Sequence, residues 1–122
     1  MRTIILAAGF VSAAFAAALL AALPARAQTL GLAEVKTHVG QQVTVEAAVS
    51  DVHTVRSGMT FIDMGGRYPD NAFVAVIFAD DAAKFPNVSA LEGKTVDISG
   101  PVQLYRGKPE IILKSADQLK AK

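Results

Sequence analysis

The sequence has no cysteine and only two histidines, His38 and His53, among its 122 residues. Without thiols there is no disulfide, no thiolate metal site and no cysteine nucleophile, so apolar burial alone must hold the fold. Ser50, Ser57, Ser89 and Ser99 lack the surroundings of a nucleophile elbow. Gly65-Gly66 and Gly107 read as turn glycines, with no phosphate-loop pattern around them. No recognised metal-ligand spacing occurs. His53 lies between Asp51 and Asp63 in sequence, and a hairpin there would bring imidazole near carboxylate, but a lone histidine at a strand end reads as a surface or hydrogen-bonded residue. The expectation is a binding protein that is not an enzyme, with no cofactor and no metal.

An excess of one charge is missing too, and the N-terminus decides its sign. Met1-Arg2-Thr3 leads into an apolar run from Ile4 to Leu23, followed by Pro24 and the small-residue box Ala25-Arg26-Ala27. One positive charge, an apolar stretch and such a box are the parts of a secretory signal peptide. The competing reading is a permanent anchor, because about 20 apolar residues can span a bilayer. Pro24 before the box and the polar Gln28-Thr29 after it favour cleavage after Ala27. The expected organisation is a signal peptide over residues 1–27 and a binding domain over 28–122, periplasmic or secreted, with no membrane association after cleavage. Of 12 Lys and Arg, Arg2 and Arg26 leave with the signal, so ten basic groups face 11 acidic ones and the net charge becomes −1. Such a domain has no global positive field, and any anion binding must be local.

Within 28–122, Leu30, Leu32, Val35 and Val39 suggest a short amphipathic helix stopped by Gly40. Val43, Val45, Ala47 and Val49 alternate with polar or small residues up to Val52, which predicts a half-buried strand. Arg56-Ser57-Gly58 supplies a turn into a second strand, Met59 to Met64, ended by Gly65-Gly66. The unbroken run Phe73 to Phe78 predicts a strand covered on both faces. Asp80 or Asp81 can cap a helix that Pro86 limits, and Thr95 to Leu104 keeps period two, with a bulge or bend at Gly100-Pro101. Tyr105 to Pro109 forms a hairpin loop before a last strand, Glu110 to Lys114. Five short strands with one short helix after the third (β-β-β-α-β-β) describe an all-β, five-stranded Greek-key barrel of the oligonucleotide/oligosaccharide-binding (OB) fold. A two-sheet sandwich would need more strands.

Three segments, Val52 to Gly58, Phe61 to Pro69 and Leu104 to Leu113, together resemble the small exported bacterial OB-fold domains of the nucleic-acid-binding type. Those domains occur alone behind signal peptides or fused to exported nucleases similar to staphylococcal nuclease. No stretch of this sequence resembles the nuclease itself. A second, looser similarity is to small periplasmic OB-fold proteins linked to stress responses, which implies a periplasmic protein or a small ligand as the alternative partner.

On such a barrel the ligand groove lies over the middle strands, between the loop joining strands one and two and the loop joining strands four and five. Arg56 falls in the first loop, Tyr105, Arg106 and Lys108 in the second, and Arg67 and Tyr68 in the connection between strands two and three. Arg56, Arg67, Arg106 and Lys108 are the expected phosphate contacts. Tyr68 and Tyr105, with Phe61 or Phe73 if exposed, are the expected stacking platforms for single-stranded DNA or RNA. Asp51, Asp63, Asp70, Asp80 and Asp81 would repel a phosphate backbone if they lined the same side, and an acidic groove would overturn this reading.

Overall fold

Alternating valines build the longest strand of the chain. In the computed structural model, which describes residues 28–122, β2 runs over Gln42–Thr54 and buries Val43, Val45 and Val49. The expected signal peptide, residues 1–27, lies outside the described residues. The first half of β2 pairs in parallel with β1 (Gln28–Leu30) and antiparallel with β5 (Thr95–Pro101), where Val45 faces Ile98. Its second half pairs antiparallel with β3 (Thr60–Met64). Between these halves Val49 faces Met64 and Asp51 faces Asp63, so Ser50 is the extra residue of a bulge. The bulge reverses the alternation. Beyond it Val52 packs against the core, and Asp51 and His53, two residues apart on one face, turn away from it.

From β3 the sheet continues antiparallel to β4 (Phe73–Ile77), then parallel to β7 (Lys108–Ile112), which forms a hairpin with β6 (Gln103–Tyr105). A last strand, β8 (Leu119–Ala121), adds to β5, giving the order β6-β7-β4-β3-β2-β5-β8. Long β2, the β3–β4 meander, and β5 and β7 on opposite sides of it make the OB fold, a partly open barrel. Every residue of β4 is buried, as its apolar run predicts, and Ile62, Met64, Phe73, Ile98, Ile111 and Leu113 fill the interior.

Three local expectations are corrected. The helix between the third and fourth main strands is two short 3-10 helices, Ala79–Lys84 and Val88–Leu91. Pro86 and the left-handed Asn87 (φ 64°) lie between them, where a missing amide donor cannot continue a helix. Asp80 and Asp81 do not cap it: Phe78 occupies the N-cap without a side-chain bond, and both acids fall in the first turn. The amphipathic lead-in is likewise a 3-10 helix, Leu32–His38, with Val35 as its buried residue. The expected bend at Gly100-Pro101 is present, since β5 ends at Pro101 and β6 starts at Gln103.

Candidate functional site

The outward faces of β2, β3, β4 and β7, with three loops above them, enclose a cleft of about 560 Å³. Phe61 and Asp63 on β3 reach it because they alternate with the buried Thr60, Ile62 and Met64. Val74 and Glu110, paired across β4 and β7, lie beside them, and His53 arrives from β2 by way of the Ser50 bulge. The His53 ring stacks on Phe61 at 5.3 Å between centroids and 24° between planes.

The loops supply the rim. Tyr105 and Lys108 face each other across a two-residue turn in which Arg106 (φ 53°) and Gly107 (φ 80°) both adopt positive φ, as a tight hairpin demands. Arg106 lies over the Tyr105 ring, its guanidinium carbon 5.2 Å from the centroid. The loop between β3 and β4 carries Tyr68 and Pro69, and bonds at both ends and its middle hold it in place. Gly66 N–H donates to the bulge hydroxyl, Ser50 Oγ, at 3.0 Å; Ala72 N–H donates to the Met64 carbonyl at 2.9 Å; and Lys108 Nζ donates to the Pro69 carbonyl at 2.9 Å. The same ammonium donates to Asn71 Oδ1 and stands 5.6 Å from the Tyr68 ring centroid.

Four expected site residues, Tyr68, Tyr105, Arg106 and Lys108, therefore line one cleft. Arg56, in the β2–β3 turn, and Arg67, in the next loop, are exposed and are not among its lining residues. Of the two phenylalanines, Phe61 is in the cleft, whereas Phe73 is fully buried and cannot stack on a ligand. Sequence reasoning named Asp63 among the carboxylates that could line the groove, but missed Asn71 and Glu110. Asp63, Asn71 and Glu110 are buried polar residues facing this cleft, and they make it acidic beneath a basic, aromatic rim. Glu110 Oε2 accepts from Gln103 Nε2 at 2.7 Å, and Asp63 Oδ1 accepts from Asn71 Nδ2 at 3.0 Å. The signal that could have found them is the polar alternation of Asp63 with Ile62 and Met64, and of Glu110 with Ile111.

Burial raises the Asp63 pKa above its ordinary carboxylate value, and the nearby Asp51 charge adds to that. Against it act His53, the Tyr68 backbone amide and Lys108. A folded-state pKa above the unfolded one means that the ionised carboxylate costs stability at neutral pH, and that the cost fades as pH falls through the raised value toward the unfolded one. In EDTA, the stability of Asp63→Asn relative to the parent protein should therefore be greater at pH 7 than at pH 4. Urea unfolding at both pH values measures the difference, and an unchanged or reversed difference contradicts it.

No protein-family model matches the chain, and no curated protein matches it in sequence. Solved structures do. An OBody, AM1L10, bound to hen egg-white lysozyme superposes with a TM-score of 0.58 at 17% identity, over 82% of this chain and 98% of its own. A chain assigned as an aspartyl-tRNA synthetase from Leishmania major Friedlin gives 0.54 at 14% identity over 89% of this chain, and the aspartyl-tRNA synthetase of Entamoeba histolytica gives 0.55 at 18% over 78%. This chain spans only 26% and 21% of those two synthetases. At these identities the likeness is one of fold, and it is the OB fold already read from the strand order.

Proposed function

We propose that the cleft binds single-stranded nucleic acid or a similar anionic chain, with one base held between the aromatic side chains and its phosphates at the rim. The observation that carries this reading is convergence: stacking and cationic side chains from separate loops meet over one cleft whose floor offers hydrogen-bond acceptors. Tyr68, Tyr105, Phe61 and the His53 ring provide π-faces, and base stacking on such groups is tolerant of sequence. Arg106 and Lys108 supply charge, with Arg56 and Arg67 farther along the strand's path. The acidic floor counts against phosphate inside the cleft, so the reading holds only with the base pointing inward, where carboxylates accept from exocyclic amino groups, and with phosphates kept at the cationic edge. A volume of about 560 Å³ falls in the range of small-ligand sites, about 300–1,000 Å³, and suits a nucleotide rather than a duplex.

The reading is of a binding module and not an enzyme, working outside the cytoplasm if residues 1–27 direct export. Nucleic-acid relatives of the fold support it: proteins described as tRNA synthetases contain a region of this shape. A second reading, a protein or small-ligand partner, is favoured by the exposed Val55, Tyr68 and Tyr105 that line the cleft and by the OBody that binds lysozyme.

Fluorescence anisotropy of labelled single-stranded DNA and RNA across a salt series separates the two. The nucleic-acid reading predicts affinity that falls as salt rises, and a slope reduced by about one in Arg106→Ala, the loss of one phosphate contact. Absence of binding, or binding indifferent to salt, overturns it.

A further inference from the structure

At one end of the cleft Asp51, His53 and Asp63 bring three ligand atoms within 4.8 Å of one another. Their origin is the strand register. Asp51 and Asp63 are direct partners across β2 and β3, and His53 follows Asp51 on the same face because the Ser50 bulge has turned both outward. Two carboxylates directly opposite in a sheet repel each other unless a cation lies between them. His53 Nδ1 is 3.1 Å from Asp51 Oδ2 and 3.5 Å from Asp63 Oδ2. One ring nitrogen carries at most one proton, and the shorter contact takes it. Asp63 Oδ2 is thereby left without a partner in hydrogen-bond geometry although its side chain is only 2% exposed, with the Tyr68 backbone amide acting on the carboxyl without closing a bond to this oxygen. Lys108, whose charge acts on Asp63 from the rim, is already donating to Asn71 Oδ1 and the Pro69 carbonyl. A buried acceptor left unmet and aimed at an imidazole and a second carboxylate is the arrangement that a metal ion completes.

We propose that Asp51, His53 and Asp63 form a binding site for a divalent transition-metal ion of the zinc or manganese class. Two ligands each about 2.1 Å from a tetrahedral ion lie roughly 3.4 Å apart, and the two histidine–aspartate separations bracket that value. The mixed nitrogen and oxygen donors suit zinc or manganese better than magnesium, which prefers oxygen and water. Two carboxylates neutralise a divalent charge. Three protein ligands leave at least one coordination position, and because His53 and Asp63 both line the cleft, that position opens toward it. The ion would then stand beside the stacking platform, where it can take an oxygen of whatever ligand the cleft holds. The site does not depend on the identity of that ligand.

Isothermal titration of zinc chloride and manganese chloride into the EDTA-stripped purified protein tests the site without any nucleic acid. One ion per chain is expected, bound about tenfold or more tightly than magnesium. His53→Gln and Asp63→Asn should each weaken binding by about tenfold or more, while His38→Gln, on the 3-10 helix Leu32–His38, should leave it unchanged. His53 is partly exposed, so its substitution tests the site even if Asp63→Asn perturbs the buried floor. In proton NMR, zinc should shift the His53 ring signals before those of His38. No uptake at 100-fold molar excess of zinc, or undiminished uptake in His53→Gln, overturns the proposal.

Discussion

Replacing Tyr68 and Tyr105 together by alanine is expected to weaken binding of single-stranded nucleic acid by about 30-fold or more. Stacking of one base on one aromatic side chain is worth about 1–3 kcal/mol by alanine substitution, so losing two removes at least roughly 2 kcal/mol. The fold should hardly notice. Tyr68 is 73% exposed and Tyr105 57%, and neither belongs to the buried core. Each ring does have a cation over it, Lys108 at 5.6 Å and Arg106 at 5.2 Å, but an exposed pair of this kind contributes only about 0.5–1 kcal/mol. The expected result is a large loss of affinity with a nearly unchanged melting temperature. Anisotropy titration and thermal unfolding of the same double variant read both quantities, and unaltered affinity would move the ligand off this cleft.

Gly100→Val should have the opposite profile, strongly destabilising the domain without touching the cleft's lining. Gly100 lies in β5 opposite Val43 of β2, where β5 crosses β7 and the barrel draws together. A Cβ there would stand 2.7 Å from Ile111 Cγ2 and 3.0 Å from Gln118 Nε2, and φ at this residue is +153°. Overpacking a tight core costs about 1–3 kcal/mol. A side chain held at positive φ costs on the order of 1–3 kcal/mol more. Together these reach about 2–6 kcal/mol, a large part of the stability of a small domain that sits near the lower end of about 5–15 kcal/mol. Gln118 cannot simply step aside, because its Nε2 donates to the Ser99 and Ile112 carbonyls at 2.9 and 3.1 Å and its Oε1 accepts from the Lys114 and Ser115 amides. The urea midpoint should fall steeply, or the variant should fail to accumulate as folded protein. A midpoint matching the parent would show that β5 and β7 are not in this contact.

The main strands were legible because their burial pattern is their sequence pattern. Val43, Val45 and Val49 alternate, Phe73 to Ile77 is apolar throughout, and Gly100-Pro101 breaks a long run where the chain does bend. β1 and β8 were not, because three residues carry no period. The bulge at Ser50 was also hidden, with consequences for the site. Continued without interruption, the alternation of β2 would send Asp51 and His53 inward with Val49. The bulge instead sets them outward, beside Asp63. The hairpin could be expected to bring His53 near Asp63, but the outward facing of Asp51 and His53 depends on the bulge in their register with β3, which the spacing does not show. The loop residues were easier. Tyr68, Tyr105, Arg106 and Lys108 could be assigned to loops from turn chemistry, and an OB barrel fixes which loops flank the groove. Arg56 satisfied the same rule and yet lies outside the cleft's lining, because a loop's position does not set its side chains' direction. Tyr68, from the connection between strands two and three that the rule does not name, lines it, whereas its neighbour Arg67 does not. Of the floor, Asn71 and Glu110 escaped notice because they sit among core residues, where polar side chains are costly unless hydrogen-bonded.

The most direct test of the binding cleft is to follow backbone amide signals of isotope-labelled protein by NMR while a short single-stranded oligonucleotide is added. Shifts should concentrate at His53, Phe61, Tyr68, Tyr105, Arg106 and Lys108, with β8 and the outer edge of β5 unmoved. Shifts gathered on β5 and β8, or none at concentrations that saturate comparable OB domains, would contradict a nucleic-acid site in this cleft.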